Sequence, residues 1–68
     1  MLDDESFQHD IFKWQARRSG STITVTGETA SGMEFFHSGI ALVASMQTEA
    51  GDTAAYAQAT DGRWWLLR

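Results

Sequence analysis

Cysteine is absent from the 68-residue chain. That excludes a disulfide framework, a thiolate nucleophile and a cysteine-ligated zinc, and it suits a reducing, cytoplasmic setting. Long apolar runs are missing too. The longest, residues 40–44, is far short of the roughly 20 residues that span a bilayer, and Met1 leads into Asp3, Asp4 and Glu5 where a signal peptide would carry positive charge. No membrane or targeting segment is expected. Basic charge is scarce: five Lys and Arg against nine Asp and Glu give a net charge of −4. Broad attraction to a phosphate backbone is therefore not expected from the average. The distribution is uneven, since Asp3, Asp4, Glu5 and Asp10 precede every basic residue, which are Lys13, Arg17, Arg18, Arg63 and Arg68.

Catalytic and cofactor signatures are equally scarce. His9 and His37 are the only histidines, with no HExxH spacing, so no metal site is expected. GxSxG, GxGxxG and GxxxxGK[ST] do not occur, and Gly20, Gly51 and Gly62 are explained by turns. Asp3, Asp4 and Glu5 read as solvated charge. The sequence thus predicts a protein that is not an enzyme and binds no cofactor.

What the chain does have is aromatics: Phe7, Phe12, Trp14, Phe35, Phe36, Tyr56, Trp64 and Trp65. Such side chains supply enough buried area to build a core in a very small domain. The expected organisation is an acidic N-terminal arm over residues 1–10 and one domain over residues 11–68.

Residues 11–28 alternate with period two around Ser19-Gly20, a dipeptide that suits a hairpin turn. Folding there sets Ala16 opposite Ile23 and Trp14 opposite Val25, with Lys13, Gln15 and Arg17 facing threonines on the other side. A competing reading makes residues 3–18 a helix ended by Gly20, but it leaves the threonine-rich strand unpaired. Further on, Ser31 and Glu34 have capping-box spacing. On a helical wheel Phe35, Phe36, Ile40, Leu42, Val43 and Met46 gather away from an arc of polar and small residues. A helix is predicted across residues 31–51, with Gly39 either allowing close packing or marking a break between two strands. Asp61-Gly62 then predicts a second hairpin with Thr60 opposite Arg63.

The resulting fold class is α+β: ββαββ, a four-stranded antiparallel sheet with one helix on one face. If Gly39 splits the middle segment into strands, the alternative is an all-β meander or small barrel. In the α+β arrangement Ala55, Ala57 and Ala59 face the helix, while Tyr56, Trp65, Leu67 and Arg63 lie on the outer face, with Lys13 and Arg17 on the same side of the first hairpin. Three occupants suit such a face. The first is a protein partner, because exposed Trp, Tyr and Arg are hot-spot residues. That makes the chain a protein-binding module, for example an accessory or inhibitory protein acting on a nucleic-acid-handling complex, as phage and mobile-element inhibitors do. The second is single-stranded nucleic acid, stacked on Trp65 and Tyr56 with Lys13, Arg17 and Arg63 at the phosphates. The third is the chain itself, through Leu2 and Phe7 of the arm or through a second copy in a homodimer.

Overall fold

The computed structural model describes residues 4–68. One 3-10 turn, Asp4–Ser6, is followed by five strands: β1 Phe7–Ser19, β2 Thr22–Thr29, β3 Glu34–Gln47, β4 Thr53–Ala59 and β5 Trp64–Leu67. They close into a barrel in chain order. Successive strands are antiparallel, and β5 closes on β1 in parallel. No helix among the described residues is long and apolar enough to cross a membrane.

The expected helix is β3, so the α+β class is replaced by the all-β alternative. The reason lies in how a strand turns the corner of a small barrel. Residues 34–40 pair with β2 and residues 40–47 pair with β4, with a bulge on each side of Ile40. Val25 and Ile23, two apart, lie opposite His37 and Ile40, three apart. Ala59 and Ala57, two apart, lie opposite Ile40 and Val43, again three apart. The inward series Phe35, His37, Ile40, Val43 therefore advances by two, three and three. A bulged strand has imitated the helical period. Ser31 and Glu34 do not cap anything. Thr29 Oγ1 accepts the Met33 amide at 3.2 Å and lies 3.0 Å from Ser31 Oγ, fixing a turn, and Glu34 opens the strand.

Three of the four hairpins share one turn. In each, the amide of the first residue donates to the carbonyl of the fifth, and a glycine at the fourth donates back to the first. The pairs are Thr29/Met33 with Gly32, Thr48/Asp52 with Gly51, and Ala59/Arg63 with Gly62, at 2.7–3.0 Å. The glycines have φ of 85°, 88° and 94°. This is the three-residue loop with a glycine bulge, not the two-residue loop that Asp61-Gly62 suggested. One residue of register is enough to turn a strand over. Instead of Tyr56 opposite Leu67, β4 and β5 pair Tyr56 with Leu66, Ala57 with Trp65 and Ala55 with Leu67. Trp65 and Leu67 consequently face inward, 3% and 4% exposed. The β1–β2 hairpin does have a two-residue loop, at Gly20 and Ser21. Ala16 accordingly meets Val25 where Ile23 was expected, and the sorting of faces survives over residues 14–17 because the shift is even; Phe12, expected on the Trp14 side, instead pairs with Glu28, and Ile11 enters the core.

The core is Ile11, Val25, Ile40, Ala57, Ala59, Trp65 and Leu67, with Trp14, Ile23, Phe35, Val43 and Ala55 packed on it. A bulge in β1 at Lys13 and Trp14, where Lys13 has φ 52°, bends that strand around the barrel. Gly27 faces the bend. A Cβ there would stand 2.6 Å from Ile11 Cγ2 and 2.7 Å from the Phe12 carbonyl oxygen, so only glycine lets the two backbones close. The acidic arm is shorter than expected: β1 begins at Phe7, whose ring lies 4.7 Å from Trp64. Leu2, the other residue read as a cover for Trp65, lies outside the described residues.

Candidate functional site

The barrel wall formed by β1, β2 and the first half of β3 presents an outer face to solvent. Across it runs a cross-strand row, Gln15 opposite Thr26 opposite Phe36, and beside it Arg17 opposite Thr24. Alternation along β2 puts Thr24 and Thr26 outward because Val25 is in the core. On β3 the same rule turns Phe36 outward, since Phe35 and His37 point in. Phe36, the third residue of β3, is 68% exposed, an unusual state for a phenylalanine in a strand.

These residues line an open groove of about 720 Å³, together with Ala16 and Ser19. None of its lining residues is a carboxylate. That is notable in a chain of net charge −4, and it arises because the acids are placed or paired elsewhere. Lys13 meets Glu28 at 3.8 Å, Arg63 meets Asp61 at 2.8 Å and Arg68 meets Asp10 at 3.1 Å. Arg17 and Arg18 form no ion pair among the described residues. The Lys13 pair is well exposed, so it is worth less than about 1 kcal/mol and leaves the ammonium able to exchange partners. Lys13 borders a second, shallower groove that shares Gln15 and Thr26 with the first and ends at Glu28 and Glu34. The face is thus polarised, with the Arg17 guanidinium at one end and the Glu28 and Glu34 carboxylates, beside Lys13, at the other.

Comparison with family models, with curated proteins and with solved structures finds no match. Function must be argued from the geometry alone.

Of the residues singled out in the sequence, Lys13 and Arg17 share this wall, and the others are dispersed. Trp65 and Leu67 are in the core. Tyr56 is half-buried on the outer side of β4, between Ala44 and Leu66. Arg63 is tied into the β4–β5 turn. Its Nε donates to Asp61 Oδ2 at 2.8 Å, its guanidinium carbon lies 5.6 Å from the Trp65 ring, and its Nη2 is 3.4 Å from His37 Nε2. The Arg63 backbone amide, and after it the guanidinium, hold the Asp61 carboxyl below its ordinary range. His37 Nδ1 accepts the Gly39 amide at 3.0 Å and its ring lies 5.0 Å from that of Trp65. This cluster braces one end of the barrel. Among the described residues, no three His, Asp or Glu side chains gather as a metal site would need.

Phe36, Gln15, Thr24 and Thr26 were missing from the sequence-derived set. The helical reading had made Phe36 a core residue. The signal that would have found it is Gly39, because breaking the segment there restores period two to residues 34–37 and turns Phe36 away from the core.

Proposed function

We propose that this chain is a non-catalytic, single-stranded nucleic-acid-binding barrel, and that the β1–β2–β3 wall is its binding face. One observation carries the reading: an exposed aromatic ring, Phe36, stands in a groove free of carboxylates beside the guanidinium of Arg17, which has no ion-pair partner among the described residues. A base stacks on Phe36, an interaction worth about 1–3 kcal/mol per base and tolerant of sequence. Arg17 meets the backbone phosphate, with Lys13 of the adjoining groove as the flanking cation. Gln15, Thr24 and Thr26 supply side-chain donors and acceptors to base edges or sugar hydroxyls. The stacking residue differs from the Trp65 and Tyr56 pair expected from the sequence, while Lys13 and Arg17 keep the role expected of them. A cytoplasmic setting fits such a ligand.

With two cations in reach, Arg17 and Lys13, the reading implies modest affinity and a shallow salt dependence. The slope of log K against log salt is about −0.7 per phosphate on a single strand, hence roughly −1.4 overall. The test is fluorescence anisotropy with labelled oligodeoxythymidylate and oligouridylate at low salt. Wild type should bind one or both, and Phe36→Ala should lose about 5- to 150-fold, the equivalent of the stacking energy. An unaltered affinity in Phe36→Ala would end the reading.

The protein-binding module that the sequence pointed to first rested on Trp65 and Leu67 as outward anchors. With both inside the barrel, that hot spot keeps only Tyr56 and Arg63, which lie on different elements, so the nucleic-acid alternative is the better supported of the two.

A further inference from the structure

The barrel is closed, yet β1 beyond Ile11 and β3 beyond Ile40 each pair on one side only, and of the two only the β3 edge is without charge. The ladder between β2 and β3 runs from Glu28/Glu34 to Ile23/Ile40 and goes no further, because β2 starts at Thr22. Beyond Ile40, β3 pairs only with β4, from Leu42/Gln58 to Gln47/Thr53. Among the described residues, therefore, 41–47 have a neighbouring strand on one side only. Alternate residues of that stretch direct their amide and carbonyl groups away from β4, into an unfilled position.

Natural edge strands are guarded by charge, by proline, by shortness or by a bulge that twists them away. Residues 41–47, Ala-Leu-Val-Ala-Ser-Met-Gln, carry no charge, proline or glycine. Their partner β4, Thr-Ala-Ala-Tyr-Ala-Gln-Ala, carries none either. In a chain where 21% of residues are charged, two adjoining strand segments without a single charge mark a surface kept neutral. The outer side of this hairpin is also apolar: Leu42 is 43% exposed, and Ala44, Met46, Tyr56 and Leu66 are partly exposed around it.

We propose that residues 41–47 of two copies pair edge to edge in antiparallel fashion, making the protein a dimer through β3. An antiparallel edge is self-complementary across a two-fold axis, as an isologous interface requires. With the axis at Ala44, Leu42 of each copy meets Met46 of the other, so an aliphatic pair forms twice and no charge is buried. A charged peptide or nucleic-acid strand finds no complementary charge on this neutral edge, whereas a second copy satisfies both its backbone groups and its outward apolar side chains. The surface is separate from the Phe36 groove, and its failure would leave the nucleic-acid reading standing.

Sedimentation velocity over a concentration series tests the pairing, together with hydrogen exchange on the same samples. Wild type should shift from 7.6 kDa to twice that mass, and amide protection within residues 41–47 should rise with concentration. Leu42→Lys introduces the charge that this edge lacks, at a side chain exposed enough to leave the fold intact. It should weaken dimerisation by about tenfold or more. A wild type that stays monomeric at sub-millimolar concentration overturns the proposal. So does a dimer whose association is unchanged in Leu42→Lys and whose residues 41–47 exchange at the same rate at every concentration, since that dimer would use another surface.

Discussion

Truncating Trp65 to alanine separates the two possible registers of the last hairpin. With a two-residue turn at Asp61-Gly62, the indole would lie on the outside and its loss would change stability by no more than about 0.5 kcal/mol, as at other exposed positions. In the observed register it is 3% exposed and touches the barrel interior, with the Phe35 ring 5.4 Å and the His37 ring 5.0 Å away. Burial of this kind costs about 3–5 kcal/mol when a Trp is cut to Ala, through lost transfer energy and the cavity left behind. A 68-residue domain has roughly 3–10 kcal/mol to lose, so Trp65→Ala should lose about a third of its stability or more, and all of it at the low end of that range. One detail sharpens the test. Trp65 Nε1 is buried with no hydrogen-bond partner among the described residues, a state that costs about 1–3 kcal/mol. Trp65→Phe keeps a ring while removing the orphaned donor, so it should cost much less than Trp65→Ala, about 1.5 kcal/mol or under. Urea titration followed by far-ultraviolet circular dichroism measures both. A Trp65→Ala protein within 1 kcal/mol of wild type would refute the inward register and the barrel packing built on it.

Further outcomes follow from individual contacts. Gly27→Ala forces a methyl into the Ile11 side chain and the Phe12 carbonyl, and should cost about 1–3 kcal/mol by the same urea titration. Phe36→Ala should leave the urea midpoint nearly unchanged while it weakens oligonucleotide binding, because the ring is mostly in solvent. The Asp61 carboxyl should titrate below its ordinary 3.8 in the folded protein, seen by carbon-detected nuclear magnetic resonance. Because its folded-state value is the lower one, whatever it adds to stability is present above pH 3.8 and is lost as pH falls through the folded value. In Arg63→Ala the shift should shrink but persist, since the backbone amide of residue 63 is its largest cause.

Much of this fold could be read from local chemistry. Gly20, Gly51 and Gly62 were legible as turn residues, the β1–β2 hairpin sorted its faces correctly between Trp14 and Val25 though not at Phe12, where the bulge brings Ile11 inward, and Ala55, Ala57 and Ala59 were rightly turned toward the core. What escaped were features of a single residue. The bulges flanking Ile40 stretched the inward spacing of β3 to three, and three residues is also close to one helical turn. The choice between a two-residue and a three-residue loop at Asp61-Gly62 depends on whether Arg63 accepts from Ala59, which no dipeptide preference states. That choice alone moved Trp65 and Leu67 from a supposed binding surface into the core. The binding wall was half legible. Lys13, Gln15 and Arg17 were already set on an outer face with the threonines of β2, but the aromatic that completes it sits on β3 and was hidden by the helical reading.

The binding face itself is tested most directly by titrating the isotope-labelled protein with a short single-stranded oligonucleotide and following backbone amide shifts residue by residue. The account predicts saturable changes concentrated at Gln15, Arg17, Thr24, Thr26 and Phe36, with Tyr56, Leu66 and the edge at Leu42 undisturbed. No change at any oligonucleotide concentration, or changes centred on β4 and β5 with Phe36 silent, would contradict it.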